Sequence, residues 1–127
     1  MGGNIGTQSS TIIVRGLATG RITIGNEIKI IIKELKVGLI LGVLYGLMLG
    51  VFASLQFVNS NPIIGIVVGL SICFSMLIAT GVGTFTPLIL KKFDIDPAIA
   101  TGPFVTTSID ILGVFLYFII ASYLLVI

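Results

Sequence analysis

One acidic residue, Asp110, lies about halfway along the last long apolar stretch, which predicts a position near the middle of the membrane. An acid at the centre of a membrane costs at least about 2.5 kcal/mol, so this side chain should face protein, water or an ion. The basic residues lie at the ends of the apolar stretches, too shallow to neutralise it. Helical spacing places it on a stripe of small and polar residues, which are Pro103, Thr106, Thr107, Gly113 and Tyr117.

This stripe predicts a pathway for a cation or a proton. The structural alternative is an Asp that bonds to a neighbouring helix or is simply protonated, with no ion passing it. Histidine is absent and Cys73 is the single cysteine, which excludes histidine-based catalysis and a cysteine metal cluster. A carboxylate suits hard cations such as Mg²⁺, Ca²⁺ or Mn²⁺. Mg²⁺ often uses only one or two carboxylates, as one Asp from each chain of a symmetric dimer would supply. No nucleophile–base pair is apparent, and we predict that the protein is not an enzyme.

The other acids lie outside the long apolar stretches. Asp94 and Asp96 precede the stretch that holds Asp110. They either draw cations towards a pore mouth or cap the start of the following helix, where acids are favourable. Glu27 and Glu34 lie among lysines, and we predict solvated ion pairs for them.

The composition is that of an integral membrane protein. Of the 127 residues, 56% are hydrophobic and 9% are charged, whereas a soluble domain carries about 25% charged residues. Most of the surface should therefore face a lipid bilayer. Seven Lys and Arg residues against five Asp and Glu residues do not indicate a nucleic acid partner.

The hydropathy pattern predicts an all-α, polytopic transmembrane helix bundle that forms one domain over residues 1–127. A weaker apolar segment over residues 2–20 predicts a partial N-terminal span. Residues 24–35 alternate lysines with isoleucines, which is typical of an amphipathic helix in the membrane interface. Three stretches are long enough for complete spans, over residues 35–57, 63–90 and 98–127.

Glycines recur every fourth residue in the first complete span and form one row on the helix, which consists of Gly38, Gly42, Gly46 and Gly50. Missing side chains along one face let another helix approach closely. The row therefore predicts tight helix packing.

The positive charges predict the orientation of the spans. They cluster before the first complete span and again before the last, while the turn at residues 58–62 carries no charge. Cytoplasmic loops carry the excess of Lys and Arg, so both charged connections should be cytoplasmic. The C-terminus should then lie outside the cell. We expect the membrane to be the plasma (inner) membrane. The first segment runs inwards in this arrangement, and we expect the chain to start partway through a spanning helix.

Two motifs resemble parts of the MgtE-type magnesium channels. The sequence GGNIGTQSS at residues 2–10, followed by VRGLA at residues 14–18, resembles the inner helix of that family. The sequence DPA at residues 96–98, followed by GPFVTT at residues 102–107 and by Asp110, resembles its last helix. The two motifs stand in the family's order, and the resemblance covers nearly the whole chain.

This resemblance implies a homodimer that conducts Mg²⁺ through a pore between its subunits. The implied lining is the helix around Gly3, Asn4 and Gly6, together with the last helix at Thr106. The acid at Asp110 would hold a hydrated Mg²⁺, and Asp96 would lie near the cytoplasmic mouth of the pore.

Members of that family have five spans, a cytoplasmic N-terminal domain and nucleotide-sensing CBS modules. This sequence has no counterpart of the first span or of the soluble parts, so we expect a regulatory domain or a complementary membrane subunit as a partner. The residues themselves leave two alternatives open, a non-conducting structural subunit and a proton-coupled cation carrier that uses Asp110. They do not rank Mg²⁺ above Mn²⁺, Co²⁺ or Ca²⁺.

Overall fold

A computed structural model describes residues 1–23, 25–57 and 59–126. These residues form four α-helices, and a short 3₁₀ helix over Pro97–Ala100 precedes the last of them. Three of the α-helices are long and apolar enough to cross a membrane. The predicted all-α helix bundle is therefore confirmed. The helices are α1 (Gly2–Ala18), α2 (Glu27–Gln56), α3 (Ile63–Lys92) and α4 (Pro103–Leu125).

Helix α2 contains both the predicted amphipathic segment and the first predicted complete span. No proline interrupts residues 27–56, so the helix continues from one segment into the other. The Glu27 carboxylate lies in the first turn, where an acid is favourable, and accepts a hydrogen bond of 2.6 Å from the Gly25 amide. The predicted start of the amphipathic segment, Ile24, lies outside the described residues.

The glycine row of α2 lies directly against α3. A Cβ atom on Gly42 would lie 2.8 Å from the carbonyl oxygen of Cys73, and one on Gly46 would lie 2.7 Å from that of Gly69. The two backbones therefore touch where a side chain would separate them. The two ends of the row, Gly38 and Gly50, contact Thr80 and Gly65.

A short turn joins α2 to α3. In this turn the Asn61 side chain accepts a hydrogen bond of 3.0 Å from the Ile63 amide, which holds the start of α3. Part of the predicted turn at residues 58–62, namely Val58, lies outside the described residues.

Helix α1 packs against α3 and α4. The carbonyl oxygen of Gly6 occupies the space that a Cβ atom on Gly83 would need, so α1 and α3 are in backbone contact there. Farther along α1, Ile13 is fully buried, and the Ser10 hydroxyl donates a hydrogen bond of 2.6 Å to the carbonyl of Ala100. These contacts fix α1 beside the start of α4.

The chain turns sharply at the end of α1. Gly20 has a φ of +74°, a conformation that glycine adopts without strain. The Ile22 amide then donates a hydrogen bond of 3.1 Å to the carbonyl of Gly16, and the Ile22 side chain packs on the same glycine. Arg21 is thereby carried back towards the last turns of α1.

The last span begins at Pro103 rather than at residue 98. The Asp96 carboxylate accepts a hydrogen bond of 3.0 Å from the Ala98 amide and caps the short 3₁₀ helix. Gly102, with a φ of +77°, then redirects the chain, and Pro103 occupies a first-turn position that suits its fixed φ. The predicted end of this span, Ile127, lies outside the described residues.

Candidate cation site

Asp110 is the eighth of the 23 residues of α4, so it lies about 10 Å along a helix of roughly 33 Å. It is therefore in the first third of α4 rather than at its midpoint. Its side chain is exposed on the single chain. Ile111 and Phe115 nearby are 64% and 66% exposed, as expected for a helix face that meets lipid. An ionised acid in such surroundings requires a polar cover.

Gly3 brings the backbone of α1 up to Asp110. A Cβ atom on Gly3 would lie 3.1 Å from Oδ1 of Asp110 and 2.8 Å from Cγ2 of Thr106. Gly3 itself is buried in this contact. A side chain at this position would push the two helices apart, so the close approach depends on glycine.

Two hydroxyl groups extend the polar contact by one helical turn. Oγ1 of Thr7 and Oγ1 of Thr106 form a hydrogen bond of 3.0 Å between α1 and α4. The Thr7 hydroxyl also donates a hydrogen bond of 2.8 Å to the carbonyl of Gly3. The seam between the helices therefore carries one carboxylate and several neutral oxygen atoms, which are the ligand types that hard cations prefer.

A groove of about 340 Å³ contains Asp110 on the other side of this seam, between the start of α1, α3 and α4. Gly113 and Tyr117 line it from α4, while Ser71 and Ser75 line it from α3. At Gly113 a Cβ atom would lie 2.9 Å from the Ser75 hydroxyl, so α3 and α4 approach closely there. Asp110 and the two serines therefore line the same groove.

Ser71 and Ser75 line the same groove as Asp110, which the sequence did not predict. The Ser71 hydroxyl is buried and has no hydrogen-bond partner within the described part of the chain. Buried hydroxyl groups without a partner are uncommon in folded proteins. Two serines one helical turn apart, among the apolar residues of the first half of α3, are the pattern that would have indicated them.

Four of the predicted site residues lie together, and Asp96 lies apart from them. Asp110, Gly3, Thr106 and Gly113 are brought together around the seam and the groove. Asp96 is exposed and acts as a helix cap outside the groove lining. Their roles in ion binding remain predictions.

Three further residues predicted to line a pore have different surroundings. Asn4 and Thr107 are exposed on the single chain. Gly6 is buried between Ala79 and Ile109, so its contacts are those of helix packing. Its place in a pore lining stays a prediction.

The predicted solvated ion pair at Glu34 is wrong. This residue is 4% exposed, and its carboxylate accepts a hydrogen bond of 2.9 Å from the Ser9 hydroxyl. The lysines around it on α2 remain exposed. The hydroxyl that reaches Glu34 comes from another helix, α1, which spacing along α2 alone does not reveal.

The site described above contains one acid, Asp110. Across residues 1–23, 25–57 and 59–126, no three His, Cys, Asp or Glu side chains cluster as they would around a tightly ligated metal. A single carboxylate with neutral oxygen atoms suits an ion that keeps most of its water, as Mg²⁺ does.

A family model described as MgtE, divalent cation transporter, matches residues 1–120. The magnesium transporter MgtE of Bacillus subtilis is 34% identical over 122 residues, which are 96% of this chain and 27% of that protein. That of Thermus thermophilus is 34% identical over 124 residues, or 98% of this chain and 27% of its own length. That of Enterococcus faecalis is 35% identical over 120 residues, which are 94% of this chain and 26% of that protein. The chain spans about a quarter of the length of these curated relatives.

Proposed function

Because the chain belongs to the MgtE divalent cation transporter family, we propose that it forms part of a membrane pore that transports Mg²⁺. The ion is held by Asp110, in a pore between two copies of the chain. The observation that carries this proposal is the exposed Asp110 carboxylate on an apolar helix, directly against the backbone of Gly3.

The oxygen atoms at the seam suit a hydrated ion. Water molecules bound to Mg²⁺ present hydrogen atoms outwards, so they donate hydrogen bonds to acceptors on the protein. The Asp110 carboxylate is the charged acceptor, and the hydroxyls of Thr106 and Thr107 are neutral ones. Because Mg²⁺ gives up its water reluctantly, one carboxylate per chain is sufficient to hold it.

The exposure of Asp110 supports a dimer. An acid facing lipid would cost about 2.5–3.5 kcal/mol on insertion scales, and a second protein surface removes that contact. In a two-fold symmetric dimer the same patch of each chain meets its own copy. Two Asp110 carboxylates then face one pathway, and the exposed residues Asn4 and Thr107 join the lining.

The charged connection before the last span supports an orientation for this pore, and the length of the relatives supports further partners. Lys91 and Lys92 precede the last span, so this end lies in the cytoplasm of a cell with the pore in its plasma membrane, and the C-terminus lies outside. Asp96 then stands at the cytoplasmic mouth, where it attracts cations in addition to capping the 3₁₀ helix. A regulatory domain or complementary membrane segments complete the transporter, whose relatives are about four times as long.

Uptake of Mg²⁺ into proteoliposomes that contain a fluorescent Mg²⁺ indicator tests the proposal. Asp110→Asn keeps the shape of the side chain and removes its charge, so the initial rate should fall by about tenfold or more, the effect of losing roughly 1.4 kcal/mol of stabilisation. Asp110→Ala should abolish uptake. Glu27→Gln is the matched control, because it removes one acid from the first turn of α2, and it should keep the wild-type rate.

The same assay distinguishes the alternatives. Wild-type uptake in both Asp110 variants would contradict a pore that depends on Asp110, whereas a non-conducting structural subunit predicts no uptake by the wild-type chain. Uptake that follows an imposed pH gradient and saturates at low Mg²⁺ would instead favour a proton-coupled carrier.

A further inference from the structure

A polar cavity lies between the end of α1 and the start of α2, separate from the Asp110 groove. Its volume is about 550 Å³, within the range of about 300–1,000 Å³ that is usual for small-ligand sites. Three cationic side chains line it, Arg15, Arg21 and Lys33. They come from α1, from the turn that follows it and from α2, so the cavity exists only when these parts are folded together.

The turn after α1 places the cations on one side of the chain. Gly20 reverses the backbone, and the hydrogen bond from the Ile22 amide to the Gly16 carbonyl closes the turn. Arg21 is thereby held in the same cavity lining as Arg15, six residues before it. This arrangement is a product of the fold rather than a run of charges along the sequence.

The cavity has an excess of positive charge. Glu34 is the acid in its lining, and this carboxylate is already bonded to the Ser9 hydroxyl at 2.9 Å. Within the described ranges, no hydrogen bond or ion pair joins it to the three cations. Guanidinium groups present paired N–H donors that match the oxygen atoms of a phosphate. The chemistry that fits is therefore a phosphate-bearing anion.

The apolar residues of the lining favour a phospholipid over a soluble phosphate as the ligand. Ile12, Ile22 and Ile30 line the same cavity, so it offers an apolar wall beside the cations. A phospholipid has a charged headgroup and apolar chains, and it uses both kinds of surface. Basic pockets between spanning helices at the cytoplasmic side are suited to anionic headgroups.

We propose that this cavity binds the phosphate headgroup of an anionic phospholipid of the cytoplasmic leaflet. The inference rests on the proposed orientation and does not require that the chain conduct ions. Arg15 and Arg21 bind the phosphate oxygen atoms, Lys33 adds charge, and the start of an acyl chain packs on the isoleucines. A bound lipid then ties the end of α1, the helix that carries Gly3, to the start of α2.

Native mass spectrometry of the whole chain, purified in detergent with added lipid, tests this site. The wild-type protein should retain phosphatidylglycerol in preference to phosphatidylcholine. In Arg15→Gln/Arg21→Gln the retained phosphatidylglycerol should fall by about tenfold or more. The matched control is Lys91→Gln/Lys92→Gln, which removes two cations of the same end of the bundle from outside this cavity, and its retention should stay at the wild-type level.

A second measurement uses the wild-type chain, so its result does not depend on whether a variant folds. Phosphatidylglycerol should raise the thermal unfolding temperature of the wild-type chain, and inorganic phosphate should raise it less. Equal protection by inorganic phosphate would overturn the lipid as the source of the phosphate. Equal loss of lipid in the Lys91/Lys92 control, or no loss in the Arg15/Arg21 variant, would overturn the site itself.

Discussion

The Ser9 hydroxyl of α1 donates a hydrogen bond of 2.9 Å to the Glu34 carboxylate of α2, and both side chains are buried. The two residues are 25 positions apart, so this bond joins two separate helices. It joins the middle of α1, whose first turn meets Asp110 at Gly3, to the first half of α2.

Ser9→Ala should lower the free energy of unfolding by about 1–3 kcal/mol, because it leaves a buried carboxylate without its donor. Reversible unfolding in mixed micelles measures this loss. Thr11→Ala is the control, since Thr11 is exposed and its hydroxyl bonds only to its own helix. In Ser9→Ala/Glu34→Met both polar groups are replaced, and most of the stability should return. A double variant less stable than Ser9→Ala would contradict this account.

Gly3→Ala should impair Mg²⁺ uptake more than it impairs folding. The new Cβ atom would meet Cγ2 of Thr106 at 2.8 Å, a contact that forces α1 away from α4 and costs about 1–3 kcal/mol. Thr106→Ser removes that methyl group, so the pair Gly3→Ala/Thr106→Ser should recover uptake that Gly3→Ala loses.

Gly81→Ala serves as the control for this pair, because the nearest atom to its Cβ would be 3.9 Å away. It should leave uptake unchanged. If Thr106→Ser gave Gly3→Ala no improvement, the contact between these two residues would not be what limits uptake.

Gly42→Ala should destabilise the bundle by about 1–3 kcal/mol. The added atom would lie 2.8 Å from the carbonyl oxygen of Cys73, and a backbone atom within a helix cannot move aside as a side chain can. The loss is measured by the same unfolding assay, with Gly81→Ala again as the control. A Gly42→Ala protein as stable as Gly81→Ala would show that α2 and α3 do not need their close approach.

Thr107→Cys, made in a Cys73→Ser background, should form a disulfide between two copies of the chain in oxidised membranes. The reason is that the proposed dimer places this exposed part of α4 near the two-fold axis. Non-reducing electrophoresis measures the dimer, which should include most of the chains. Leu55→Cys in the same background is the control, since Leu55 is 72% exposed on α2, and it should stay monomeric.

The three long helices follow from the sequence because a membrane span depends mainly on apolar length. Asp110 also follows from it, since an acid within such a stretch is costly wherever the neighbouring helices lie. The start of α4 at Pro103 does not follow from apolar length. It depends on the positive φ of Gly102 and on the Asp96 cap, which make the preceding residues a separate 3₁₀ helix.

The features that the sequence did not predict are those that depend on contacts between helices. Glu34 has lysines as its neighbours in sequence, and only the approach of Ser9 on α1 shows that it is buried. Likewise, Ser71 and Ser75 line the same groove as Asp110 because α3 and α4 pack together there. Charge and hydropathy along one segment contain no information about the partner helix.

The bond between Thr7 and Thr106 joins residues that are 99 positions apart, and this distance matters during biosynthesis. Helix α4 leaves the ribosome after the other helices, when α1 is already in the bilayer. The α2–α3 hairpin needs only its own glycine contacts to form, so it can hold a place beside α1 in the meantime. The acid of the last helix then inserts next to the backbone of Gly3, so one side of it meets protein before a second copy of the chain covers the other.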